Sequence, residues 1–183
     1  EDAVVPEEKR TDRVWLRPLS GSDVELDYDA VMGSAEQLRR WSQTSWPADD
    51  FTLAENLADL ERHEREHLER VAFTYTVMNP QGDRCLGCVY ITPLMPQAGA
   101  LCAGASYPAK VGFWARTSEL ANDLDAHLLA TLRTWFAAEW AFDCIVWLVS
   151  PQDERQATLA RAQGMERLAD IGLSHDRTTW AFQ

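Results

Sequence analysis

Apolar and polar positions alternate in the VAFTYTVM run at 71–78, and this period of two predicts a strand with one buried face. The next apolar run, at 84–92, follows a turn of Asn, Pro, Gln, Gly and Asp. Two more runs read as strands: KVGFWAR at 110–116, and DCIVWLV at 143–149, apolar enough for the centre of a sheet. Short strands are expected at 14–18, with Trp15 as its apolar anchor, and near 165–168 and 178–182. Helical stretches fall between them. Ser20 to Asp23 supply caps for a helix running to about Met32, and Ser34 caps a short one over 35–41. After a loop at 42–50 containing Pro47, Thr52 and Glu55 form a capping box for a helix over 51–70, with Leu53, Leu57, Leu60 and Leu68 as a partial apolar stripe. A long helix is expected from Ser118 or Asn122 to Trp140, carrying Leu120, Leu124, Leu128, Thr131 and Trp135 on one face, and another over 152–163, ended by Gly164. Residues 93–108, rich in Pro, Gly and Ala, read as a long loop. The order predicts an α/β (α+β) fold, a twisted mixed sheet of six to seven strands with helices on both faces. Residues 1–12 read as a loose N-terminal segment and 13–183 as a single domain.

A chain of 183 residues suits one domain and can bury enough surface to fold without a disulfide or metal staple. Its formal charge of −12 argues against nucleic acid and anionic membrane as partners, since both need a cationic surface. A cationic amine would be drawn in. No apolar run approaches the ~20 residues of a membrane span, and no charged-then-apolar leader is visible, so a cytoplasmic setting is expected. Cys85 and Cys88 form a CxxC, but on a regular strand this spacing puts the two side chains on opposite faces. Without a second such pair they read as buried free thiols rather than a zinc or redox site.

His63-Glu-Arg-Glu-His67 matches the HExxH zinc pattern, yet it sits on a charged helix face that reads as solvated, and His175 is the only later histidine outside residues 118–140. The reading is no metal. Of the eight Trp residues, Trp135 and Trp147 read as core. No nucleophile elbow, Walker pattern or dinucleotide glycine pattern is present.

The VGFWAR segment at 111–116 resembles the fourth strand of the GNAT superfamily, acyl-CoA-dependent N-acyltransferases, in the form typical of its ribosomal-protein N-terminal acetyltransferase branch. The segment from Asp153 through Gly164 to Met165 resembles the family's Asn-x-x-Ser…Gly-Phe helix. The resemblance covers residues 13–183 in outline and 110–165 in motif. It implies a GNAT fold and transfer of an acyl group from acetyl-CoA or another acyl-CoA to a small-molecule or protein amine. It places the cofactor between Phe113, Trp114, Ala115 and Arg116 and the strand at Trp147–Ser150, with Asp153 as a hydrogen-bond acceptor and the phosphates near Leu120–Ala126, at Asn122, Asp123 and Asp125. Trp41 and Trp46, flanking the Pro47 loop, would border the acceptor.

Two departures bear on activity. The family's phosphate turn carries small glycine-rich positions, because backbone N–H groups at a helix N-terminus must approach the anion. Here that turn is LANDLDA at 120–126, and its carboxylates favour the helix but repel phosphate. The family's usual acid, a Tyr, is matched by Ala160, and its usual base by Lys110 and Val111. Glu119, His127 and Tyr107 are the nearby substitutes. Two readings follow: an acyl-CoA-dependent N-acyltransferase, or a catalytically inactive GNAT-like binding or assembly domain with no cofactor. A homodimer is compatible with either.

Overall fold

The computed structural model describes residues 4–94, 96–174 and 177–183. Its strands are β1 (Lys9–Arg10), β2 (Trp15–Pro18), β3 (Phe73–Met78), β4 (Cys85–Pro93), β5 (Pro108–Ala115), β6 (Cys144–Val149), β7 (Arg167–Ser174) and β8 (Arg177–Phe182). The helices are α1 (Val24–Met32), α2 (Ala35–Ser42), α3 (Leu53–Leu68), α4 (Leu124–Glu139) and α5 (Glu154–Ala162). The eight strands form one sheet in the order β1-β2-β3-β4-β5-β6-β8-β7, and only β5 and β6 run parallel. This is the expected mixed sheet with one strand more. The addition is β1, inside the stretch expected to be loose, where Lys9 and Arg10 pair with Leu16 and Trp15. Among the described residues no helix is long and apolar enough to cross a membrane.

The two faces of the sheet bury different material. On one, Leu16, Tyr75, Val89, Val111, Phe113 and Trp147 meet α4 and α5 through Leu128, Leu132, Trp135, Phe136 and Ala160. Here Trp135 and Trp147 are core, as expected. On the other, Met78, Cys85, Cys88 and Trp114 meet α1 and α2 through Ala30, Val31 and Leu38. In β2 the fully buried anchor is Leu16 rather than Trp15, whose indole stays partly exposed under Arg10.

Three local expectations change. Met78 pairs with Cys85 while Val77 pairs with Gly87, so Leu86 is an extra residue in a β-bulge. The bulge shifts the alternation by one, and Cys85 and Cys88 therefore share a face instead of opposing each other. Both remain buried free thiols. Glycine is required at 87 because a Cβ there would lie 2.1 Å from the Trp114 carbonyl oxygen. Ser34 does not cap α2 with its side chain; its hydroxyl accepts from the Thr117 amide at 3.1 Å, tying the start of α2 to the end of β5. The long helix begins at Leu124, after a 3-10 turn over Thr117–Asn122 and Asp123 in the left-handed conformation. The capping box of α3 forms as expected from Thr52 and Glu55. The loop over 93–108 contains a 3-10 turn, Pro96–Cys102, and is joined to β6 by a Cys102–Cys144 disulfide that no spacing pattern predicts.

Along α3, Leu60 is buried, whereas Leu53 and Leu68 are exposed. The helix is held to α1 by a polar contact: Asn56 Nδ2 donates to Asp27 Oδ2 at 3.0 Å. Burial pushes the Asp27 carboxyl up to about 6. A folded-state value raised above the unfolded one means that stability is fully present at low pH and falls as pH rises from the ordinary carboxylate range through about 6. We expect Asp27→Asn to match the wild type at pH 4 and to exceed it at pH 7 by on the order of 2–3 kcal/mol, measured by urea unfolding at the two pH values. An equal difference at both would contradict the burial argument.

Candidate functional site

The parallel ladder between β5 and β6 runs from Pro108 opposite Cys144 to Val111 opposite Trp147 and stops, although both strands continue. Beyond that point β6 keeps its pairing with β8 through Trp147, Leu148 and Val149. The strands part because side chains take the place of the ladder. Phe113 and Trp147 meet edge to face at 6.2 Å on the α4 side. The Phe113 carbonyl, turned toward β6, accepts from Gln156 Nε2 of α5 at 2.6 Å. Two cavities flank the parting.

The first, of about 220 Å³, lies between the end of β5 and the N-termini of α4 and α5, and is lined by Gln37, Arg40, Ala115, Leu120, Asp125 and residues 152–156. Arg155 dominates its electrostatics. Its Nε donates to Asp125 Oδ2 at 2.5 Å, and its Nη2 reaches Asp125 Oδ1 at 2.9 Å, Asp123 Oδ1 at 3.1 Å and the Leu120 carbonyl at 2.8 Å. Hydrogen bonding to Asp125 raises the guanidinium pKa further. Both carboxylates are thus paired with Arg155; Asp125 is buried, whereas Asp123 remains exposed. Asp125 also accepts from the Ala126 amide at 3.0 Å, using an N–H at the very end of α4 where an anion would bind. Asp153 caps α5 by accepting from the Gln156 amide at 3.0 Å, and burial raises its carboxyl above the ordinary range.

The second cavity, of about 350 Å³, opens on the opposite face of the sheet. Its floor is Tyr90, Thr92, Lys110, Gly112, Leu148, Ser150 and Thr179, and its rim is Trp41, Ser42 and Gln43 at the end of α2. Register explains the grouping: Thr92 pairs with Lys110 and Tyr90 with Gly112, so the Tyr90, Thr92 and Lys110 side chains share a face and Gly112 leaves room between them. Trp41 packs on Tyr90 with centroids 5.7 Å apart. The Tyr90 hydroxyl accepts from Trp114 Nε1 at 3.3 Å, and burial pushes its pKa well up. Ser150 Oγ donates to the Arg40 carbonyl at 2.7 Å, fixing α2 over the parting.

Of the residues expected from sequence, Ala115, Asp125 and Asp153 line the first cavity and Trp41 the second. Phe113 forms the parting itself. Trp114 points away from the α4 side, fully buried against Tyr90 and α1. Arg116 lies 2.7 Å from Asp29 in an ion pair without hydrogen-bond alignment. Asn122 offers its carbonyl to Arg13 at 2.7 Å. Trp46 packs edge-on against Phe51 at 6.2 Å and does not line the second cavity. Glu119, His127 and Tyr107 also lie outside both linings. Glu119 pairs with Arg84 at 2.8 Å, His127 contacts Thr11 at 2.9 Å, and Tyr107 is exposed. Ser150, expected beside the cofactor, lines the second cavity; the residues that sequence reasoning missed are Arg155, Gln156 and Tyr90. A signal existed for the first: an arginine two residues after a helix cap on a chain whose neighbouring turn carries two acids.

The HExxH helix face is not wholly solvated. His63 packs at a tilt against Tyr90 at 5.4 Å and lies 3.1 Å from Thr74 Oγ1, while His67 packs edge-on against Phe73 and Tyr75. Burial lowers the pKa of both. Among the described residues no group of three or more His, Cys, Asp and Glu is placed to hold a metal ion, and His175 lies outside the described residues.

No protein-family profile matches the sequence, and no curated protein matches it. Solved structures do match the fold. The microcin C7 self immunity acetyltransferase MccE, solved with acetyl-CoA and AMP, superposes with a TM-score of 0.75 at 11% identity over 97% of this chain and 96% of its own. RimJ of Mycobacterium smegmatis, solved with a CoA disulfide, gives 0.74 at 16% identity over 99% and 86%. RimL, a ribosomal L7/L12 α-N-protein acetyltransferase solved with coenzyme A, gives 0.73 at 14% over 99% and 96%. The chain has the fold of the GNAT acetyltransferases.

Removing Arg155 leaves a buried carboxylate unpaired. Arg155→Ala should lower stability by about 1–3 kcal/mol in urea unfolding, and the added loss should shrink in an Asp125→Ala background. Equal losses in both backgrounds would show that Arg155 is not bound energetically to Asp125.

Proposed function

We propose that the chain is an acyl-CoA-dependent N-acyltransferase, with residues 13–183 acting as a single cytoplasmic GNAT domain. The observation that supports this best is the parting of β5 and β6, with a cavity on each side of it. An extended pantetheine arm needs strand-edge groups that no neighbouring strand uses, and the stretch of β5 after Val111 fits that need. The backbone of Phe113 and Ala115 would hold the arm, and Arg155 and Arg40 are the cations lining the phosphate end. That end fits less well as it stands, because Arg155 is engaged by Asp123 and Asp125. What acyl-CoA supplies is a thioester carbon for an amine nitrogen to attack, with the carbon–sulfur bond breaking as the carbon–nitrogen bond forms. The chain's contribution is placement: Ser150 fixes α2 over the opening, and Trp41 and Tyr90 wall the acceptor side. The described lining of that side holds no carboxylate, so the amine would lose its proton to solvent. The acceptor is a small-molecule or protein amine.

A second reading is favoured by specific contacts. Gln156 already occupies the Phe113 carbonyl, Asp125 occupies the Ala126 amide, and Ala160 stands where the family's acid would. An inactive domain that keeps the fold for binding or assembly would look like this.

Thermal melting with acetyl-CoA separates the two. At one hundred times Kd the ligand should add about 2.7 kcal/mol, a plain rise in Tm. No rise at millimolar acetyl-CoA would sink the enzyme reading. Asp123→Gly removes an exposed carboxylate at a left-handed position that glycine adopts freely, and frees one contact of Arg155. We expect it to tighten acetyl-CoA binding about two- to fivefold, read by calorimetry.

A further inference from the structure

The chain carries two lysines among its 17 basic residues, and they are used differently. Lys9 pairs with Glu139 at 2.6 Å. Lys110 sits partly buried in the floor of the 350 Å³ cavity and forms no ion pair among the described residues. On a protein of formal charge −12 an unpaired, half-buried cation is unusual. Burial lowers its pKa, which is the cost of holding an ammonium there without a counter-charge. Directly across the strand, Thr92 Oγ1 is buried without a hydrogen-bond partner. An unmet cation and an unmet hydroxyl therefore stand side by side, and both gain most from the same ligand atom, an anionic oxygen. The rest of the cavity wall offers apolar surface: Trp41, the Tyr90 ring and Leu148.

We propose that this cavity selects amines that also carry a carboxylate and an apolar body, the carboxylate seated between Lys110 and Thr92 and the body against Trp41 and Leu148. The substrate class is an amino acid with an apolar side chain, or a compound of the same layout. The inference rests on the acyl-transfer reading only for the fate of the amine; carboxylate recognition is a property of the cavity itself. It also separates two charge effects. The acidic surface draws in any amine, and Lys110 admits those bearing an anion.

The test compares binding of L-phenylalanine, L-phenylalaninamide and 3-phenylpropionate by calorimetry, with acetyl-CoA binding and N-acetyl product measured in parallel. L-phenylalanine and 3-phenylpropionate should bind about tenfold or more tighter than the amide. Lys110→Met, which keeps the length of the side chain, should erase that preference, and Lys110→Arg should keep most of it; circular dichroism establishes that each variant is folded. Should Lys110→Met not fold, Thr92→Val is read instead and should reduce the preference severalfold. Equal binding of acid and amide, a preference that survives Lys110→Met, or no binding of either acid at about 10 mM would each overturn the proposal. Carboxylate preference without acetyl-CoA binding would refute acyl transfer and leave the proposal standing. Acetyl-CoA binding and transfer to the amide as readily as to the acid would do the reverse.

Discussion

Everything that gives this protein a site depends on the point where β5 and β6 stop pairing. A parallel ladder that continued past Val111 and Trp147 would consume the strand-edge groups of Phe113 and Ala115 and close the sheet. Phe113 and Trp147 wedge edge to face above α4 where the ladder stops, while the far edge of β6 stays paired with β8, where Thr179 Oγ1 also donates to the Val149 carbonyl at 3.1 Å. The cost of an unmet carbonyl at Phe113 is removed by Gln156. The helices then read the opening: α2 caps it through Ser150, and α4 and α5 bring their N-termini to its other end.

Charge follows from that geometry. Two helix N-termini facing one small cavity create positive potential that favours acids at Asp123, Asp125 and Asp153, although burial still holds the Asp153 carboxyl above its ordinary range. Alone they would repel one another and any phosphate. Arg155 resolves the conflict by bridging Asp123 and Asp125, and it turns a repulsive turn into a closed clamp. The other face shows the opposite condition, a cation at Lys110 with no ion-pair partner among the described residues. One end of the site is self-satisfied and the other is not, so the acceptor side is where a ligand gains most.

Element order and most boundaries were legible because they rest on local rules. Period two marked β3, the Thr52–Glu55 box marked the start of α3, and the Asn79 to Asp83 turn closed the first hairpin. The errors lie in pairings that local patterns do not mark, within a hairpin as well as across the chain. Ser34 is drawn from its cap by Thr117, a bulge at Leu86 turns Cys85 onto the face of Cys88, and Lys9–Arg10 becomes a strand because Leu16 and Trp15 offer an edge. Of the residues expected at a site, Ala115, Asp125 and Asp153 line the first cavity and Trp41 the second. Glu119, His127 and Tyr107 were chosen for nearness in sequence, and nearness in sequence does not place a side chain in a cavity.

By itself the sequence determined the fold class, the sheet with helices on both faces, and the acidity of the turn before α4, because periodicity, caps and charge are properties of short segments. Tertiary structure alone decided what those segments do to one another. It showed that the acids are clamped by Arg155, that Gln156 meets the Phe113 carbonyl, and that Lys110 stands beside Thr92 without a counter-charge among the described residues. These are pairings across thirty residues or more for the first two, and across a strand register for the third. A pairing of that kind is fixed by how faces pack, and the linear pattern carries no record of it.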